Sequence, residues 1–409
     1  MTKRLIAALT LVLAADTLLA AVPEYTPALE ARIFDRAWKL VADKYWDRSK
    51  TGAQWVATRD HFRPLAISAP NRPAFYTILG EMLASLGDSH VYAIDPRQVA
   101  IGNARDAGRA AQGFGFDMLP DDDGIWRVTA LRDNGPARGA GVEIGWEVRS
   151  VNGRPVDIDY QPTPGETASF DFADEAGEIH AIRIASELEE PLPPRRETRL
   201  PGNILLLALD GFDGNDARWI ADHLRETPRP SGVILDLRRN QGGDADVIAR
   251  VAGLFFAENR PLVIRVGQRR AVQTTRGAGP GSWLGPLAVL IGPDSASGAE
   301  ALAALIDETG RGPTIGQRTA GALTGASDFR LPDGGELSVA EFDIRTPGGK
   351  RLEGVGLIPR VPVAPTLADR RAGRDPVLDR ARVLLTRQSF AATGPAHKLA
   401  RDSEAPTHP

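Results

Sequence analysis

A multidomain α+β chain is predicted by three observations on the 409 residues. Apolar residues recur at helical spacing from about Pro27 to Leu86, short glycine-punctuated apolar runs fill 107–187, and from 198 onward strand-like runs alternate with helix-like ones. The expected plan is a small helical amino-terminal domain over 25–96, a β module over 107–187 and an α/β core over 198–365. A carboxy-terminal helix over 366–388 and a disordered tail over 389–409 complete it.

Composition narrows the function classes. A formal charge of −4 with no basic block gives no electrostatic case for nucleic acid or anionic lipid. The absence of cysteine excludes thiol catalysis, disulfides and Cys-based metal sites. Six histidines, at 61, 90, 180, 223, 397 and 408, are not spaced as a metal pair, and no His-Glu-x-x-His occurs, so neither a metal nor a cofactor is expected. Lys3-Arg4 followed by the apolar Leu5 to Ala15 reads as a secretory signal over 1–21, with cleavage after Ala15, Ala20 or Ala21. The competing reading is a disordered or docking helix. Export to a periplasmic or extracellular site is expected, and no other apolar run reaches membrane-spanning length, so no stable insertion of the mature chain is expected. The oligomeric state is not legible.

In the helical region Leu29, Ile33, Ala37, Leu40 and Val41 form one stripe and Phe75, Ile78, Met82 and Leu83 another, with Pro64, Pro70 and Pro73 in the connection. Gly87 stops the last helix, and Asp88-Ser89-His90 leads into a short strand. His90 thus sits on a loop edge, where side chains commonly carry function, although a lone histidine is more often structural.

In the β module Gly113-Phe114-Gly115-Phe116 precedes a strand, and Trp126 to Leu131 is another. Pro136 to Ala140 is a short helix closed by Gly141, and Val148 to Val151 turns at Asn152-Gly153 into a hairpin. These residues resemble a PDZ domain, in which the Gly113 to Phe116 amides would hold a peptide carboxylate while the peptide adds as a strand. A glycine-rich structural module without a ligand is the alternative. Gly145-Trp146 departs from the usual Gly-Asp.

In the core, Ile204 to Leu209 and Gly232 to Leu237 are strands, and Asn215 to Arg225 and Ala245 to Phe256 are helices. Gly242-Gly243, between strand and helix, frees amides to face an anion. That anion is a phosphate or an oxyanion, or the turn has no ligand; no Gly-Lys-Ser/Thr follows to support a nucleotide. Leu287 to Ile291 is a buried strand, and Ser297 opens the helix after it. Ser297 with Glu300 fits a Ser-x-x-Glu capping box, and the same position fits a nucleophile elbow.

In this order the pieces resemble the C-terminal processing peptidases, and within them the tricorn-core branch. The resemblance rests on Leu235-Asp236-Leu237-Arg238-x-Asn240-x-Gly242-Gly243, Ser295-Ala296-Ser297 with Glu300, Gly316-x-Arg318-Thr319-Ala320-Gly321 and Glu353-Gly354-Val355-Gly356. It implies a core of crotonase-like βα spiral type and a serine peptidase acting on peptides or unfolded proteins. It also implies Ser297 as nucleophile, His90 as general base, Glu353 as buried acid and Ser89 as the link between acid and imidazole. Gly242, Gly243 and Gly298 would supply the oxyanion amides. The branch with a lysine base would carry it at Ala322, and the nearest lysine is Lys350, in another turn. Gln241 replaces the family's usual proline. Rival expectations are a catalytically silent peptide-binding protein of the same fold, a Ser/Lys peptidase using Lys350, and an acyl-transfer enzyme that uses the oxyanion site without Ser297.

Overall fold

The computed structural model describes residues 25–120, 124–156 and 162–393. The signal reading over 1–21 lies outside the described residues, as does the predicted tail beyond Thr393. The last helix, Pro376–Thr393, runs past the expected limit at residue 388, and a separate short helix, Leu367–Arg371, precedes it.

Three helices open the described chain, Pro27–Lys44, Ala53–Ile67 and Arg72–Ala84. Thr26 caps the first by accepting the Leu29 amide, and Asn71 caps the third by accepting that of Ala74 at 3.0 Å. Pro64 lies inside the second helix rather than in a connection. Near the helix end it removes one hydrogen bond, and the chain turns out soon afterwards. The apolar stripes meet as expected, but they share their core with Leu331, Leu337, Val339 and Ala340, contributed from far along the sequence. The strand Glu336–Arg345, which carries three of these, also pairs antiparallel with Tyr92–Ile94. The segment around His90 is thereby pinned to the core. An unforeseen helix, Pro96–Asp106, follows.

Residues 111–189 surround a separate core of Phe114, Val128, Trp146, Phe170, Phe172 and Ile184. Its antiparallel sheet runs in the order Phe116–Pro120, Trp126–Leu131, Glu147–Val151, Thr167–Ala173, Ile179–Ala185, with Phe116–Pro120 at an edge. Asn152 and Gly153 have φ of 53° and 70°, as the tight hairpin requires. Ala111–Gly113 pairs instead with Glu187–Glu189.

The central sheet has the order Arg195–Leu200, Ile204–Leu209, Gly232–Asp236, Leu287–Ile291, Thr314–Gly316, Val361–Pro362, parallel after its first pair. Each strand joins in sequence order on the same edge. Alternation along the strands divides the side chains. Leu205, Leu207, Val233, Leu235, Val289 and Ile291 meet the helices Ala245–Gly253 and Gly298–Glu308, whereas Ile204, Ile234, Ala288, Leu290 and Ile315 meet Val377, Ala381 and Leu385 of the last helix. A sheet covered on both faces accounts for strands that read as unbroken apolar runs.

Candidate active site

Ser297 stands where the strand Leu287–Ile291 has passed through a tight loop into the helix Gly298–Glu308. Its backbone, φ 51° and ψ −115°, is unusual for a residue bearing a Cβ. Such a conformation costs about 1–3 kcal/mol and persists only where its surroundings impose it. Here the Ser297 amide donates to the Ala322 carbonyl at 2.8 Å and to Glu300 Oε2 at 3.2 Å. Glu300 is fully buried and also accepts from the Thr319 hydroxyl at 2.5 Å and from the amides of Gly321 and Ala322 at 3.0 and 2.9 Å. Burial pushes its carboxyl up, and these donors pull it back down. The Ser-x-x-Glu pattern therefore does more than cap a helix: its carboxylate ties the serine turn to the 319–322 loop.

The Asn240-Gln241-Gly242-Gly243 turn lies directly on this serine. A Cβ on Gly242 would stand 2.7 Å from Ser297 Cβ and 3.1 Å from its Oγ. Gly242 and Gly243 have φ of 101° and 135°, which only glycine adopts readily. The Gly242 amide is taken by Asn240 Oδ1 at 2.9 Å, and its carbonyl accepts the Phe212 amide at 2.7 Å. Among the described residues no hydrogen bond takes the amides of Gly243 or Gly298. Gln241 uses an N–H that proline would lack, donating to the Asp210 carbonyl at 3.3 Å. Gly298 lets the helix Ala245–Gly253 come close, since a Cβ there would run into Ile248.

Ser89, His90 and Glu353 come together. Ser89 Oγ lies 2.8 Å from His90 Nδ1 and donates to Glu353 Oε2 at 3.0 Å, and the Ser89 amide donates to Glu353 Oε1 at 2.8 Å. Glu353 is buried and also accepts the Leu323 amide at 2.8 Å. Leu323 follows Ala322, the residue bonded to Ser297, so the serine turn and the acid are joined through one peptide unit. Burial lowers the His90 pKa below its usual 6.5, against the opposing pull of Glu353, Asp88 and Asp328.

Two residues that sequence reasoning missed hold these loops. Asp88 accepts the His90 amide at 3.1 Å and the Thr324 hydroxyl at 3.2 Å through Oδ1, and Tyr45 OH and Trp46 Nε1 at 3.2 and 3.1 Å through Oδ2. Asn240, fully buried, holds the Gly242 turn. Asp88 follows Gly87 and Asn240 precedes Gly242 by two residues, and a polar residue near a glycine is common in loops.

Other candidates lie apart. Lys350 is exposed and pairs with Glu308 at 3.8 Å, at the far end of the Ser297 helix. That is roughly 16 Å along the axis from the serine, at 1.5 Å per residue. Gly113 to Phe116 lie at the edge of the separate module. Asp174, Glu178 and His180 converge on its far hairpin, where His180 bonds Asp174 at 3.1 Å and stacks on Trp146.

Residues 203–363 match Peptidase family S41, and residues 28–84 match the Tricorn protease C1 domain. A putative tricorn protease homolog 2 of Streptomyces coelicolor is 28% identical over 94% of this chain, which spans only 35% of that relative's length. A carboxyl-terminal-processing protease of a Picosynechococcus species is 24% identical, with 79% of this chain and 81% of that protein covered. Among solved structures, a photosystem II D1 C-terminal processing protease has a TM-score of 0.60 at 22% identity, covering 82% of this chain and 93% of its own. The tricorn protease has a TM-score of 0.54 at 18% identity, covering 88% of this chain and 37% of its own. The chain thus carries a region that matches Peptidase family S41, with a match to the Tricorn protease C1 domain ahead of it.

Proposed function

We propose that this chain hydrolyses peptide bonds through an acyl-enzyme on Ser297, with a Ser297, His90, Ser89 and Glu353 tetrad. The observation that carries the reading is the Ser89 hydroxyl, bonded at once to His90 Nδ1 and Glu353. A hydroxyl that gives its own proton to Glu353 accepts from Nδ1–H, so the imidazole keeps Nε2 unprotonated and able to take a proton from Ser297. A serine hydroxyl is a weak nucleophile without such a base.

The alkoxide attacks the scissile carbonyl, and the amides of Gly243 and Gly298 receive the oxyanion, with Gly242 shaping the turn. Such donors contribute roughly 3–4 kcal/mol each in comparable sites. The imidazolium then protonates the leaving amine, and a water deprotonated by His90 releases the acyl group. The oriented imidazole favours this reading over a silent binding protein, the position of Lys350 speaks against a lysine base, and a dedicated base has no role in an acyl-transfer enzyme that bypasses Ser297.

The module over 107–187 is proposed as PDZ-like, with Gly113 to Phe116 receiving a peptide carboxyl end and the edge strand Phe116–Pro120 receiving its backbone. The in-order addition of strands in the central sheet supports a crotonase-like spiral. The proposed domain limits are those of the sequence reading, except that the helical region is cored jointly with Glu336–Arg345. Export rests on residues 1–21. No helix among the described residues is long and apolar enough to cross a membrane.

The test is fluorophosphonate labelling of the purified protein beside Ser297→Ala and His90→Ala, with digestion of an unfolded protein followed in parallel. Loss of both signals in both variants is expected. An unlabelled wild type that is folded would favour the silent binding protein.

A further inference from the structure

The loop proposed to receive a peptide carboxylate already holds one. Glu189 Oε1 accepts the Gly115 amide at 2.7 Å, and Glu189 Oε2 lies 3.4 Å from Arg132 Nε. Gly113 makes the room, because a Cβ there would run into the Glu189 carboxylate. Gly115, at φ 80°, turns its amide inward, and a Cβ on it would press on Pro136. Pairing of Ala111–Gly113 with Glu187–Glu189 in register holds the side chain over the loop. Arg132 is kept in place from the other side by Asp117, at 3.0 and 3.3 Å. An amide, a guanidinium and a glycine-made recess are the chemistry that recognises a carboxylate.

We infer that Gly113, Gly115 and Arg132 form a carboxylate subsite whose resident ligand is Glu189, and that a peptide carboxyl end enters it only by displacing that side chain. This rests on the peptide-binding reading of the module and adds two residues to it, Arg132 as a binding group and Glu189 as the competitor. An intramolecular ligand competes at high effective concentration, so the apparent affinity for a peptide is reduced by the fraction of time the site is closed. The Glu189 side chain is 25% exposed and lies outside the module's apolar core, so leaving the loop would uncover none of that core.

The experiment measures binding of fluorescein-labelled decapeptides ending in Ala, Val, Leu or Phe, as free acids and as carboxamides, by anisotropy. The full chain carries Ser297→Ala so that no peptide is cleaved. In that background Glu189→Ala should tighten binding of at least one free acid by roughly tenfold or more, leave the carboxamides unchanged, and lose the gain when Arg132→Ala is added. Glu189→Gln, which keeps shape and removes charge, should fall between. Equal affinity of the free acids for the parent and Glu189→Ala would overturn the competition while leaving the peptide-binding reading in place. Equal tightening of acids and carboxamides would overturn the carboxylate subsite. No binding by any variant would overturn both, and fluorophosphonate labelling of Ser297 in the otherwise native chain would still report separately on the peptidase.

Discussion

Glu353 grips Ser89 through both carboxylate oxygens, one on the amide at 2.8 Å and one on the hydroxyl at 3.0 Å. The two contacts have separable consequences, since only the hydroxyl reaches the imidazole. Ser89→Ala should keep the loop in place and leave His90 Nδ1 without its acceptor. We expect kcat to fall by roughly 10- to 1000-fold, short of the ~10⁴ seen when a catalytic acid is replaced in a serine protease triad, with little change in thermal stability. Steady-state kinetics beside a melting curve decides it. An unchanged kcat would remove Ser89 from the mechanism.

The acid limb of the pH–rate profile should lie below the usual histidine value. Burial lowers the His90 pKa, so the neutral, proton-accepting form persists to lower pH, and kcat/KM falls only as pH drops through that lowered value. Glu353 opposes the shift, so Glu353→Gln should move the limb further down while reducing the maximum. A limb found only above pH ~8, nearer the lysine range, would point to a different base.

Gly242→Ala puts a methyl group 2.7 Å from Ser297 Cβ, at a backbone angle that disfavours any side chain. A loss of about 1–3 kcal/mol in stability is expected from the strain, together with a fluorophosphonate labelling rate lower by roughly 10²- to 10³-fold. Labelling at the wild-type rate would show that the turn does not shape the oxyanion site.

Lys350→Ala should change little. An exposed ion pair contributes about 0–1 kcal/mol, and Lys350 pairs with Glu308, at the opposite end of the Ser297 helix. Labelling and kcat within about twofold of wild type are expected; loss of both would revive a lysine base.

Local chemistry made much of this chain legible. The strand Leu287–Ile291, the Asn152-Gly153 hairpin and the helix beginning at Ser297 are each specified by residues adjacent in sequence, and the structure has them there. The candidate site residues could be named only through the family resemblance of the motifs that carry them, since local pattern alone left Ser297 a helix cap and His90 a lone histidine. What could not be read depends on distant partners. Nothing near Phe34 or Met82 indicates that Leu337 and Val339 complete their core. Asp88 gave no periodic signal, because its four donors come from three separate segments. Pro64 was read as a break because proline usually is one, whereas near a helix end its missing donor costs little.

The last helix has a consequence for the timing of synthesis. Ile234, Ala288, Leu290 and Ile315 are covered by Val377, Ala381 and Leu385, so one side of the Ser297-bearing sheet stays bare until the residues after Pro376 have left the ribosome. A nascent chain up to that point exposes a greasy surface suited to chaperones and cannot hold its final shape.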